Sequence, residues 1–318
     1  MLLSQEQKDL SLAFLFTVLV FLVPWVELRG AGLADLANYI YRFNELKVYG
    51  SEFINPDNSL IGYFTSEAAW AYLLLLLSKT GIEAKTAMFA ISFFCFLCIS
   101  SFVFVRVNKL YAALLLVNPL LIDLVMAQQR SALALSLFLL AIPRANQHLK
   151  AMLFVMGVFT HAVFLFMSAL YYLSKLLSQR EREESSNQFY TLAVIVVVAA
   201  VFIFGKDVLL ALLGDRRAGV SGKSVSFLYA AFWIVALFYV AAFHKEVPYY
   251  HTYMCLFFLT LFLFATLSGQ YSSRYIALGY PFFIVTMGSF ERNKSLVLFL
   301  GLLMYQYLQW IYWWGFLN

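Results

Sequence analysis

The chain has 318 residues, of which 63% are hydrophobic and only 12% charged, and its mean hydropathy is +0.80. A soluble domain carries roughly 25% charged residues and could not hide so much apolar surface in one core. The net charge of +5 comes from basic residues spread over short loops, with no patch interleaved with exposed aromatics, which excludes nucleic-acid binding and points to membrane topology.

Along the chain, apolar stretches predict helices at 10–28, 64–78, 86–105, 110–124, 128–142, 150–160, 162–177, 189–204, 225–243, 249–267, 275–289 and 295–315. The runs at 10–26, 227–243 and 296–314 are about 17 to 19 residues long, close to the roughly 20 that cross the hydrocarbon. They are apolar all round and lack the alternation of an outer-membrane barrel. The expected fold is all-α, a polytopic membrane protein of about 10 to 12 transmembrane or re-entrant helices. No repeat or second domain is visible, so 1–318 is expected to form a single multi-helix domain. The first run has spanning length and no small-x-small site after it, so it predicts a retained helix and not a cleaved signal. Trp25, Tyr39, Tyr41, Tyr171, Tyr172, Tyr249, Tyr250 and the tryptophans of 310–314 sit near segment ends, where amphipathic rings suit the headgroup zone.

Three connections are long, at 29–61, 178–188 and 205–224. Arg106 and Lys109, Arg144 and Lys150, Lys175, Arg180 and Arg182, Lys245, and Arg292 and Lys294 mark the cytoplasmic side by the positive-inside rule. From residue 106 onward that alternation requires 150–177 to be two short helices meeting at Thr160-His161. It then sends Gln128-Gln129-Arg130, His161, the 205–224 loop and 270–274 to the external face. The parity of the first hundred residues stays open, because an external 29–61 connection requires 64–78 to be re-entrant.

Cys95 and Cys98 spell C-x-x-C inside an apolar run with no second pair and no histidine, which predicts helix packing and not a metal site. Arg130 opens an apolar helix and is followed by Ser131, Ala132 and Ala134, small neighbours that leave room beside the guanidinium. A charge at membrane depth costs at least about 2.5–3.5 kcal/mol, so it usually faces a cavity with a purpose, or else snorkels to the headgroups. His161 is the one histidine with long apolar stretches on both sides, which suits a buried acid or base or a histidine satisfied by a backbone carbonyl. Arg274-Tyr275 opens a late helix after Gln270 and two serines. An arginine there opposes the helix dipole and suggests an anion, or a structural carboxylate such as Asp123 or Glu67. Two guanidinium forks could hold a diphosphate. Glu67 reads equally as an acidic first-turn residue after Thr65-Ser66. No D-x-D or paired carboxylate appears, so no metal and no cofactor are expected. The Gly-Lys-Ser at 222–224 lacks the spacing and strand of a P-loop, and Gly219-x-Ser221-Gly222 lacks the partner helix of an intramembrane serine protease.

The order of elements resembles the Wzy-like oligosaccharide repeat-unit polymerases of the EpsG type. The resemblance is carried by Asp35-x-x-Asn38-Tyr39, Ser66-Glu67, the stretch from Gln129-Arg130-Ser131 to Ala134, a basic turn at 144–150, Phe159-Thr160-His161 and Ser273-Arg274-Tyr275. Ser131 and Ala132 stand where Gln-Gly is common, and Ala68 where Pro is common. The resemblance implies transfer of a growing glycan from undecaprenyl diphosphate to an incoming lipid-linked repeat unit, outside a bacterial inner membrane, with a chain-length regulator as a further partner. It implies Arg130, Arg274, Gln129 and Tyr275 as diphosphate contacts, His161 or Glu67 as acid or base, and Asp35 and Tyr39 in acceptor binding or structural support. The alternative is a transporter or flippase for a lipid-linked or anionic solute, using the same arginines as its binding site.

Overall fold

A computed structural model of the chain describes residues 4–29, 33–54, 62–63, 66–183, 188–212 and 227–313. Among the described residues every regular element is helical. They fall into two compact units, Met1–Ser168 with Gln306–Asn318, and Ala169–Tyr305.

The first unit starts with α1 (Gln5–Phe21), closed by a capping box in which Ser4 and Gln7 satisfy each other's backbone N–H. It runs antiparallel to α5 (Ala84–Phe104). Phe21 meets Phe89 and Phe93 near the start of α5, Thr17 and Ser100 share a 3.0 Å hydrogen bond, and Asp9 pairs with Lys109 beyond its end at 2.7 Å. The described parts of residues 22–83 thus connect two neighbouring helix ends, the end of α1 and the start of α5. Within those parts lie α2 (Trp25–Leu28), α3 (Ala34–Tyr49) and α4 (Ala68–Lys79). At 12 residues α4 rises about 18 Å, short of the hydrocarbon thickness of about 30 Å.

The 29–61 connection is not a loop, since α3 fills much of it. Tyr39, Phe43 and Leu46, spaced by four and three residues, are all buried and fix its inward stripe. The helix expected at 110–124 is two, α6 (Lys109–Leu116) and α7 (Pro119–Ala127), bent by 62°. Pro119 has no N–H to continue the helix, and the Asn118 side chain caps the N–H of Leu120 at 2.8 Å. The carbonyls freed at the bend are met by α15 (Arg292–Trp313). Gln306 donates to Leu114 and Val117 at 3.0 and 2.7 Å, and the Trp310 indole donates to Val117 at 3.1 Å. The unit also holds α8 (Gln129–Ala141), α9 (Gln147–Thr160) and the first turns of α10 (Val163–Glu183).

The second unit holds the rest of α10, then α11 (Gln188–Leu212), α12 (Phe227–Phe243), α13 (Tyr250–Leu267), α14 (Ser273–Ser289) and the opening of α15. Two expected loops begin later than predicted, because α10 runs on to Glu183 and α11 to Leu212. Residues 213–226, with the Gly-Lys-Ser and Gly-x-Ser-Gly stretches, lie outside the described residues. Tyr305 on α15 stacks on Phe232 of α12 at 4.2 Å and accepts from Trp233 at 3.1 Å. Among the described residues three helices, α5, α13 and α15, are long and apolar enough to cross a membrane, and the α6–α7 pair taken as one broken span makes a fourth. Several shorter apolar helices, α4 and α8 among them, accompany these. The chain is a multi-pass membrane protein, all-helical among the described residues.

Close packing of α13 on α14 depends on Gly279, where an added Cβ would lie 2.4 Å from the Phe258 Cβ and 2.7 Å from its Cγ. The atom in the way is next to the backbone, so it cannot swing aside. Gly279→Ala is expected to destabilise the protein by about 1–3 kcal/mol, read as a lower midpoint of thermal unfolding in detergent. Gly205→Ala, which meets nothing within 4 Å, serves as the control.

Candidate active site

Glu67 stands at the N-cap position of α4 in a left-handed conformation, φ 56° and ψ 54°, and is the one non-glycine residue with positive φ among the described residues. That geometry costs about 1–2 kcal/mol and persists only where the surroundings over-determine it. Here they do. The side chain makes no cap and is not a first-turn residue; it turns inward, 2% exposed, to two partners from other helices. Its Oε2 accepts from Arg130 Nη1 and its Oε1 meets His161 Nδ1.

Arg130 comes from the first turn of α8, just after Gln128 breaks the chain from α7. Its Nε donates to the Tyr39 hydroxyl at 3.3 Å, and its guanidinium lies 5.5 Å from the centre of the same ring. Tyr39, on α3, is braced edge-on against Trp70 of α4 at 5.2 Å. Asp35, one turn earlier on α3, lies within electrostatic reach of both Tyr39 and Asp123. His161 is the residue where α9 stops and the chain turns into α10, with an extended backbone and its N–H donating to Gly157 at 2.9 Å. Gly157 faces α8, where an added Cβ would make an ordinary van der Waals contact with the Ala134 carbonyl at 3.5 Å. Four helices thus deliver Tyr39, Glu67, Arg130 and His161 to one point, with Arg130 29% and His161 20% exposed.

Chemically the cluster is a buried carboxylate holding a guanidinium on one oxygen and an imidazole on the other. Nδ1 faces the carboxylate, so Nε2 is the ring nitrogen left able to exchange a proton. Such a group can move a proton beside a fixed positive charge.

The sequence-predicted residues divide by unit. Glu67, Arg130, His161, Tyr39 and Asp35 belong to the first. Gln129 belongs there too but points elsewhere: it is 1% exposed and its amide donates to Met88 O and to Ser92 of α5 at 3.0 and 2.8 Å, tying α8 to α5. Arg274 and Tyr275 are in the second unit. Arg274 is exposed with its guanidinium 4.9 Å from the Tyr271 ring centre, Tyr275 meets Phe202 edge-on at 6.3 Å, and Gln270 donates to Ile203 O at 3.4 Å. One pairing escaped sequence reasoning: Asp123 is bound by Arg29, from the turn after α2. Its only signal was a lone acid and a lone base flanking apolar runs. Among the described residues no three His, Cys, Asp or Glu side chains gather into a group fit for a metal ion.

Residues 12–318 match the family model described as the EpsG family. None of the curated proteins and none of the solved structures matches the chain.

Glu67→Gln leaves the partly buried Arg130 without its counter-charge. A loss of about 3 kcal/mol is expected, seen as a lower unfolding midpoint in detergent. Tyr39→Phe removes one neutral acceptor and is expected to cost about 1 kcal/mol.

Proposed function

The chain belongs to the EpsG family, and from that premise we propose that it polymerises undecaprenyl-diphosphate-linked oligosaccharide repeat units on the external face of a bacterial inner membrane. Family membership alone makes it a polymerase-type glycosyltransferase for exopolysaccharide or related repeat units. The finer reading is carried by one observation, the Glu67 carboxylate that holds Arg130 and His161 side by side.

The donor is already activated, so the enzyme must accept a proton at the attacking hydroxyl and neutralise charge at the leaving group. His161 donates Nδ1–H to Glu67, which leaves the Nε2 lone pair for the acceptor hydroxyl. As that oxygen bonds to the anomeric carbon, its proton passes to Nε2. The bond from the anomeric carbon to the phosphate oxygen breaks, and its electron pair leaves with the diphosphate. Glu67 steadies the imidazolium that forms and sets its tautomer, as a positioning residue and not the base itself. Arg130 commits two of its five donors to Glu67 and Tyr39. The remainder suit the phosphate oxygens, where charge builds as the bond breaks. Arg274 and Tyr275 are proposed as anion-binding residues of the second unit, the exposed guanidinium of Arg274 being the donor. Gln129, engaged in packing, is assigned no substrate contact. A single displacement inverts the anomeric centre, which NMR of the product linkage checks; retention would require a covalent intermediate that this arrangement does not supply.

The decisive experiment is a silver-stained glycan ladder from the native strain, in which a deletion is complemented with wild type, Arg130→Ala or His161→Ala at matched protein levels. Deletion and both variants are expected to leave glycan capped at one repeat unit. Rates with extracted lipid-linked repeat units should fall by about 10²–10⁴ for His161→Ala and about 10²–10³ for Arg130→Ala. An intact ladder in the deletion strain sinks the polymerase reading. Loss of even the single-repeat glycan moves the protein to export.

A further inference from the structure

A second polar cluster lies in the first unit, separate from the Glu67 triad. Arg29 Nη1 donates to Asp123 Oδ1, and both side chains are partly open, 25% and 29% exposed. The Arg29 guanidinium lies 5.5 Å from the ring centre of Trp313. Trp313 meets Trp310 edge-on at 5.2 Å, and Trp310 stacks on Trp25, also at 5.2 Å. The two inner indoles are locked from behind, since Trp25 donates to Val20 O at 2.8 Å and Trp310 to Val117 O at 3.1 Å. Trp310 and Trp313 are both half-buried, and Trp313 is the ring that the Arg29 guanidinium faces.

We infer that Arg29, Asp123 and Trp313 form a sugar subsite that takes one neutral pyranose of the lipid-linked glycan. The inference rests on the polymerase reading and extends it to the part of the substrate beyond the reacting bond. A pyranose offers an apolar C–H face and neighbouring hydroxyls. An indole face takes the first. A carboxylate and a guanidinium take the second, through charge-assisted hydrogen bonds in which the carboxylate accepts and the guanidinium donates. The Arg29–Asp123 contact occupies one oxygen and one guanidinium nitrogen, so both groups keep capacity for such bonds. The pair is neutral as a whole, which suits an uncharged sugar and not the diphosphate. A wall of three rings pinned through two backbone carbonyls is pre-organised, so little ordering cost falls on binding.

Position supports the assignment. Asp123 lies on α7, seven residues before Arg130 and separated from it by the Gln128 break. Asp35 lies within electrostatic reach of both Asp123 and Tyr39, and Tyr39 holds Arg130. The subsite therefore lies in the same unit as the reacting groups.

The test separates sugar binding from catalysis by using an oligosaccharide with no lipid and no diphosphate. The repeat-unit oligosaccharide, released by mild acid from the lipid-linked unit that accumulates in a strain lacking this chain, is titrated into the detergent-solubilised full chain by calorimetry. Wild type is expected to bind it, with Asp123→Asn and Trp313→Ala each weakening binding about tenfold or more. Arg130→Ala is expected to bind like wild type, because it lacks only a diphosphate contact. In turnover of the lipid-linked unit, Trp313→Ala should raise KM with kcat nearly unchanged, whereas Arg130→Ala should lower kcat. Trp313→Ala leaves the Arg29–Asp123 contact in place, so it reports even where Asp123→Asn fails to fold. No binding by wild type, or equal binding by wild type and Trp313→Ala, overturns the subsite. An intact glycan ladder in the deletion strain is a different result, and it overturns the polymerase reading itself.

Discussion

A carboxylate surrounded mainly by carbon must be met by donors on both oxygens, and Glu67 imposes that demand on the first unit. Desolvating such a charge costs several kcal/mol, recovered only through close and well-oriented partners. Arg130 and His161 are those partners, and each must be delivered from its own helix end. The left-handed backbone at Glu67 is the visible local cost. It lets the side chain leave the axis of α4 and point back between α8 and α9 instead of capping its own helix. Because Arg130 and His161 share one carboxylate, each helps to fix the other's position, and the arrangement is held without any covalent constraint.

Helix breaks carry the rest of the design. In hydrocarbon a backbone that leaves the helical pattern must find other partners for its freed groups. The bend at Asn118-Pro119 finds Gln306 and Trp310. At Gln128 the N–H stays bonded to carbonyls of α7, and at His161 to Gly157, so the chain turns without stranding a donor. Two of these breaks present the residues with chemistry, Arg130 just after one and His161 at another. Interrupting a helix at membrane depth exposes a side chain at its end with a direction that a continuous helix would not allow.

Much of this was legible in the sequence, and what was not has physical reasons. Arg130 and His161 stood out because a charge or an imidazole among Leu and Phe must reach the headgroups, find a local partner or serve a purpose. Most helices announced themselves by apolar runs, and the ordered motifs pointed to the family. Glu67, Arg130 and His161 were all singled out, but their meeting was not, because 63 and 94 residues separate the partners and no local pattern encodes such contacts. Nor does an isolated Glu advertise a left-handed backbone, which sequence rules reserve for Gly and Asn. Helix α3 was read as loop because it carries Asp35, Arg42, Glu45 and Lys47 among its apolar positions. Its stripe at Tyr39, Phe43 and Leu46 is present, but no uninterrupted apolar run marks it. Gln129, adjacent to Arg130, was grouped with it; a step of one residue turns a side chain by about 100° around the helix, which sends this one into α5.

The use of Gln306 and Trp310 to close the bend at Asn118 bears on how the protein is made. A ribosome delivers α6 and α7 long before it delivers the last turns of α15, with all of residues 169–305 synthesised in between. At cellular elongation rates that interval is on the order of ten seconds. Throughout it the Leu114 and Val117 carbonyls need substitute partners, from water, a neighbouring helix or the insertion machinery. The first unit is therefore begun first and finished last. A stop codon anywhere before residue 306 would release a chain whose earliest helices are complete in sequence and still unfinished in structure.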